Sequence, residues 1–191
     1  MKLTPKIEKA IIKAAVLHRG QSRKGEVVYP YITHLYSVAI ILSNYTDDED
    51  VIVAGLLHDA IEDTKYTPDK LENDFGKKVR EIVLGVTENY SNENKKNSWK
   101  ERKEKYAANL HGASDESVLV SAADKIHNLN TTIADYKKHG PVIWGNFNAP
   151  IEEQMQFYSN ILKICHERLK SNIVSEFETV YNEASELFIE K

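Results

Sequence analysis

The sequence predicts an all-α protein built around one core, and three observations carry that expectation. Apolar residues recur at helical spacing along most of the chain, helix-start signatures precede several of these stripes, and the one strand-like stretch is interrupted by Pro30. With 191 residues and neither repeat nor linker, residues 1–191 read as a single domain.

The elements follow in order. Thr4 and Pro5 pair an N-cap with proline at the first helical position, opening a helix through Ile7, Ile11, Ala14 and Ala15 that should end near Gly20. Residues Gly25 to Thr33 read as a loop or small ribbon, and from His34 the pattern is helical again through Val38, Ile41 and Leu42. Thr46 to Glu49 has capping-box spacing, and the helix that follows, about Glu49 to Thr64, is apolar almost all round and so should be central. Thr67-Pro68 caps a short helix, and after Gly76 the stripe Val79, Ile82, Val83 and Val86 marks the next. Glu88 to Asn97 is polar and unperiodic, a loop. Ser98 and Glu101 form a second capping box before a charged helix to His111. A long helix is expected over Asp115 to Tyr136, with two more apolar stripes in the last forty residues, for eight or nine helices in all.

Composition narrows the function classes. A net charge of −4 supplies no basic field for a polynucleotide, so no nucleic-acid partner is expected, although Arg19, Arg23 and Lys24 form a local cationic cluster suited to a small anion. No apolar run approaches a membrane span, and the amphipathic, charged N-terminal segment is unlike a secretory signal, so a cytoplasmic location is expected. The single Cys165 lies on the apolar side of a helical pattern and reads as a core thiol.

Four short pieces carry chemistry: His34, the His58-Asp59 pair, Glu62-Asp63 one turn later, and Asp124 with Asn128. His58 and Asp59 follow the apolar run Val51 to Leu57, where an unpaired ionisable pair would cost several kcal/mol, so they require a partner, and a divalent cation supplies one. Two imidazoles and two carboxylates from His34, His58, Asp59 and Asp124 make a mixed nitrogen and oxygen set suited to manganese, iron or zinc. A cation there would lower the pKa of water toward ~7 and polarise a phosphoryl oxygen, which points to phosphoester or phosphoanhydride hydrolysis. Glu62 and Asp63 stand at i, i+4 to His58 and Asp59, within reach of the attacking water and the leaving oxygen. Taken without that neighbourhood they would be the solvated end of a helix, and from spacing alone Asp124 and Asn128 would be a polar helix edge.

The ordered run Gly20-Gln21-Ser22-Arg23-Lys24-Gly25, Tyr31-Ile32-Thr33-His34, Ala54 to Thr64, Phe75-Gly76, Gly85-Val86-Thr87 and Ala123-Asp124-Lys125-Ile126-His127-Asn128 resembles the hydrolase domain of RelA/SpoT-type alarmone enzymes and their small stand-alone relatives in the HD superfamily. The resemblance spans about Ala14 to Asn130. It implies an all-helical HD-domain fold with a metal, usually manganese, on His34, His58, Asp59 and Asp124, and catalytic work on water and proton by Glu62 and Asp63. It also implies a nucleotide pocket lined by Arg23, Lys24 and Asn128. The chain departs from the family at Leu35, where proline is common, and at Asn130, where arginine is. After Asp135 the likeness fades, and Trp144 to Asn148 with Gln154 and Tyr158 read either as core packing or as a pocket wall.

The expected function is therefore a metal-dependent phosphohydrolase acting on a small-molecule nucleotide, first of all the 3′-pyrophosphohydrolysis of guanosine 3′,5′-bis(diphosphate). The alternatives are a nucleotide phosphohydrolase that releases simple phosphate and a metal-containing nucleotide sensor without turnover. The complete set of six acidic and histidine residues argues against the sensor.

Overall fold

A computed structural model describes residues 2–23, 28–88 and 98–189, which form ten α-helices, one 3₁₀ helix and no strand. The aromatic loop contributes an isolated antiparallel bridge between Ser22 and Pro30, in keeping with a proline that has no N–H to give a ladder. Lys24 and residues 89–97, where the sequence reads as a loop, lie outside the described residues.

Helix α1 (Pro5–Leu17) starts on the Thr4 hydroxyl, and His18, Arg19 and the positive-φ Gly20 turn the chain away from it. Helix α2 (Ile32–Leu42) begins two residues before His34. Ahead of α3 (Glu49–Leu57) the cap is Asp48, whose carboxylate accepts from the Asp50 N–H, while Thr46 accepts from Asp48 one step earlier. The cap thus falls two residues after Thr46, and it is a simple Asp48 cap in place of the expected capping box. Helices α5 (Pro68–Phe75) and α6 (Lys77–Val86) meet at Gly76, and α7 (Trp99–Gly112) carries the full reciprocal Ser98–Glu101 capping box. Helix α8 (Asp115–His139) runs three residues beyond the expected end before Gly140, and the 3₁₀ helix Gly140–Asn146, α9 (Ile151–Arg168) and α10 (Ile173–Phe188) complete the order.

The expected helix from Glu49 to Thr64 is not continuous. It stops at Leu57, turns through His58 and Asp59, and resumes as the single turn α4 (Ala60–Asp63). The physical reason is local: His58 Nδ1 lies 2.8 Å from the Gly55 carbonyl, the acceptor to which an unbroken helix would direct the Asp59 N–H. The next turn survives, because Asp63 N–H still donates to the Asp59 carbonyl at 2.9 Å.

One core joins the helices, from Ile7 in α1 to Ala184 in α10. Helix α3 is buried along Val51 to Leu57 and packs on α1, α2 and α6, while α8 packs on α2, α6, α9 and α10. Each fully buried Leu or Ile contributes on the order of 1.5–3 kcal/mol over leaving it in water. Gly55 allows the closest approach, since a Cβ there would collide with the Leu42 side chain, which is itself wholly buried. That contact holds α2 against α3, and with them His34 beside His58. Cys165 is fully buried, and burial pushes its thiol up to about 12, so it is a core residue. No described helix is long and apolar enough to cross a membrane.

Candidate active site

Three elements converge where the helix turns at His58. Helix α2 brings His34, the α3–α4 turn brings His58 and Asp59, and α8 brings Asp124. His34 Nε2 lies 3.2 Å from Asp124 Oδ1 and 3.7 Å from Asp59 Oδ2, and His58 Nε2 lies 3.1 Å from Asp59 Oδ2 and 3.7 Å from Asp124 Oδ1. The four sequence-predicted ligands are therefore brought together: His34, His58 and Asp59 offer donor atoms within 4.8 Å of one another, Asp124 Oδ1 faces both imidazoles, and both imidazoles are almost fully buried.

The hydrogen bonding of the rings suits a cation. A carbonyl only accepts, so His58 Nδ1 carries the proton toward Gly55 O, and in the neutral ring Nε2 presents a lone pair. That Nε2 is buried and, despite its closeness to the carboxylates, makes no hydrogen bond of good geometry. It is an orphaned nitrogen directed at two carboxylates, the arrangement of a ligand atom. His34 is oriented likewise, by His127 on α8, with the two Nδ1 atoms 2.8 Å apart. Burial, with the His34 ring next in effect, holds His127 down to about 4, so it is neutral and can accept the His34 Nδ1 proton, leaving His34 Nε2 free to bind a metal.

The carboxylates are held as anions. Burial works against ionised Asp59, but the imidazoles of His58 and His34 outweigh it and keep the group well below the usual range. The Tyr31 hydroxyl donates to Asp59 Oδ2 at 2.6 Å, and burial together with that charge pushes its own ionisation far up. Asp124 is likewise depressed despite burial, chiefly by Lys125, whose ammonium lies 2.5 Å from Oδ2. For His58 burial favours the neutral ring, yet Asp59 and Asp124 prevail and raise its affinity for a proton, so protons compete with a cation for this cluster.

Glu62 and Asp63 both line the adjoining cavity, but they differ. Glu62 is half-buried and accepts from the Glu88 N–H at 3.1 Å through Oε2, and Glu88 is in turn paired with Lys103 and, at 3.7 Å, Arg102. Burial, then the charges of Asp59 and Glu88, push Glu62 up to about 7. Asp63 is exposed. The two carboxylates are therefore not equivalent, which their adjacency in sequence did not reveal.

The cavity has a volume of about 430 Å³ and runs from Asp59 along α8 past Asn128. Arg23 is the one cationic side chain among the described residues lining it. Its guanidinium lies over the Tyr31 ring at 5.7 Å and donates to Asn128 Oδ1 at 2.8 Å, and Asn128 Nδ2 donates to Asp124 Oδ1 at 2.6 Å. Arg23 and Asn128 are thus brought together as expected, but tied to each other and to Asp124. Leu35 is wholly buried, and Asn130 is exposed and off the cavity wall. Of the later aromatics, Phe147 and Tyr158 line the cavity with Asn146, Asn148 and Gln154, whereas Trp144 packs on Tyr136 and Phe188, so both readings of that segment hold in part.

Sequence reasoning missed Tyr31, Lys125, His127 and Glu88 as residues of the site. Lys125 and His127 stood inside the quoted Asp124 to Asn128 motif, and Tyr31 three residues before His34 at helical spacing, so position in the motifs was the available signal. Glu88 had none, since only the fold sets its N–H on Glu62.

The HD domain family model matches residues 10–149. The zebrafish (Danio rerio) guanosine-3′,5′-bis(diphosphate) 3′-pyrophosphohydrolase MESH1 is 36% identical over 152 residues, 78% of this chain and 78% of that protein. The bifunctional (p)ppGpp synthase/hydrolase SpoT of Escherichia coli K12 is 36% identical over 133 residues, 66% of this chain but 18% of SpoT. Among solved structures, a metazoan orthologue of SpoT that hydrolyses ppGpp superposes with a TM-score of 0.77 at 26% identity, covering 96% of this chain and 97% of that one.

Proposed function

We propose that this chain, which belongs to the HD domain family, is a divalent-cation-dependent pyrophosphohydrolase whose substrate is guanosine 3′,5′-bis(diphosphate). One observation carries the reading: the chain matches MESH1 over nearly four-fifths of both proteins, with Asp59, Glu62 and Asp63 on the wall of one cavity and His34, His58 and Asp124 gathered behind Asp59 at its end. His34, His58, Asp59 and Asp124 would hold the cation; their nitrogen and oxygen donor set suits manganese, iron or zinc, and the likeness to the alarmone hydrolases favours manganese among these. When bound, the cation supplies positive charge that acidifies water and polarises a phosphoryl oxygen.

The protein's own groups do the rest. Glu62 Oε2 is steadied by the Glu88 N–H, which leaves Oε1 to accept the proton of the attacking water. Water oxygen bonds to the phosphorus joined to the 3′ oxygen, the bond between that phosphorus and the 3′ oxygen breaks, and pyrophosphate departs. The 3′ oxygen takes up a proton, for which the solvent-facing Asp63 is the donor. Arg23 binds the nucleotide, with its guanidinium already fixed over Tyr31 and against Asn128. Lys24 adjoins it in sequence and adds a second positive charge. The lone cysteine, Cys165, is buried and free, which favours a reducing compartment, the cytoplasm, as the place of work.

A product assay tests the reading: purified protein with manganese and a panel of nucleotides, with products identified. Pyrophosphate and guanosine diphosphate from the tetraphosphate are expected. Release of simple phosphate from another nucleotide, with the tetraphosphate untouched, would replace this reading by that of a nucleotide phosphohydrolase.

A further inference from the structure

Asp124, Asn128, Thr131 and Asp135 form one stripe along α8, because eleven residues at 100° each return to within about 20° of the starting face. Asn128, Thr131 and Asp135 line the cavity. Asp135 stands about 16 Å along the helix axis from Asp124, at 1.5 Å per residue. It is half-buried, and its carboxylate has no hydrogen bond or ion pair to the described residues. Neighbouring polar groups are already engaged: Arg23 on Asn128 and Gln154 on the Ala149 carbonyl.

An unpaired carboxylate in a nucleotide-sized cavity cannot receive phosphate, since both are anionic. It accepts, through two oxygens, from a pair of N–H donors. With the reacting phosphate at the Asp59 and Asp124 end, and a sugar between, the group arriving at Asp135 is the far edge of the base. Guanine presents two adjacent donors there, N1–H and the 2-amino group. Adenine offers an acceptor at N1 and nothing at C2.

We propose that Asp135 is a specificity-determining residue that reads this donor pair and selects guanine over adenine. The proposal rests on the functional reading above, and it concerns the end of the cavity remote from the chemistry.

The test has two arms. Binding of guanosine 5′-diphosphate and adenosine 5′-diphosphate is measured with manganese present for the parent, Asp135→Asn and Asp135→Ala, and hydrolysis of the corresponding 3′-pyrophosphates is measured in parallel. The parent should favour guanosine by on the order of tenfold or more, as expected where a polar site would otherwise be left unpaired. Both variants should reduce that preference to within about twofold, while their melting temperatures stay at the parent's because Asp135 supports no internal contact. No binding, no preference in the parent, or a preference kept by the variants overturns the assignment. If the binding arm succeeds and no pyrophosphate is released, the functional reading falls and the role of Asp135 stands.

Discussion

The Lys125 ammonium lies 2.5 Å from Asp124 Oδ2 and 4.8 Å from the centre of the Tyr106 ring, a buried cation set on one oxygen of a carboxylate whose other oxygen faces both site imidazoles. Lys125 thereby neutralises Asp124 and leaves Oδ1 to the imidazoles and to the Asn128 amide, which donates to it at 2.6 Å. Removing one member of such a pair strands the other, at a cost of about 3–5 kcal/mol. Lys125→Met should therefore lower the denaturant midpoint of the metal-free protein, and added manganese should recover more stability in the variant than in the parent. An unchanged midpoint would show that Asp124 needs no counterion.

Chelation is expected to abolish pyrophosphate release, and manganese to restore it. A ligand at 100 times its Kd stabilises the folded state by about 2.7 kcal/mol, so manganese should raise the parent's melting temperature. His58→Ala and Asp59→Ala should lose that rise altogether. A metal-free preparation with full activity would disprove cation dependence.

Glu62→Gln should keep the manganese-induced rise in melting temperature and lose about 10² to 10⁴ in turnover, the usual worth of a positioned acid or base. As a base the group must be ionised, so activity should climb with pH through a limb at or below about 7, the bound cation drawing it down, and the variant should lack the limb. Stability has the opposite slope. The folded group holds its proton above the ordinary 4.5, so in the metal-free protein its contribution is full below about 4.5 and is lost as pH rises toward 7. Asp63→Asn should likewise retain metal and lose turnover. Elemental analysis showing metal loss in either variant would move that carboxylate into the ligand set.

Arg23→Ala should raise KM with a smaller effect on kcat, because the guanidinium lies in the cavity wall and touches Asn128 rather than the cation donors. Asn130→Arg should leave kcat/KM within about threefold. Two residues on from Asn128, it points some 200° away around α8 and is exposed. A large gain in Asn130→Arg would mean that this face of α8 meets the substrate after all.

Periodicity and capping chemistry are local, and they determined the all-helical architecture: Thr4, Thr67 and Ser98 cap the helices the sequence assigned to them. That His34, His58, Asp59 and Asp124 lie together was legible too, because ionisable groups beside an apolar run need partners, and the motif order pointed to which. What the sequence could not decide depends on atoms far apart in the chain. The turn at His58 and Asp59 arises from a side-chain nitrogen taking a helical carbonyl, which spacing alone does not reveal. Glu62 and Asp63 are neighbours in sequence, yet only the fold sets Glu88 beside the first and leaves the second to solvent, and that difference in burial and charge makes the two carboxylates inequivalent. Asp135 carried no motif at all. Its place on the wall of the cavity follows from the length of α8 and the segment folded over it, since a carboxylate acquires a function here from the empty space it faces.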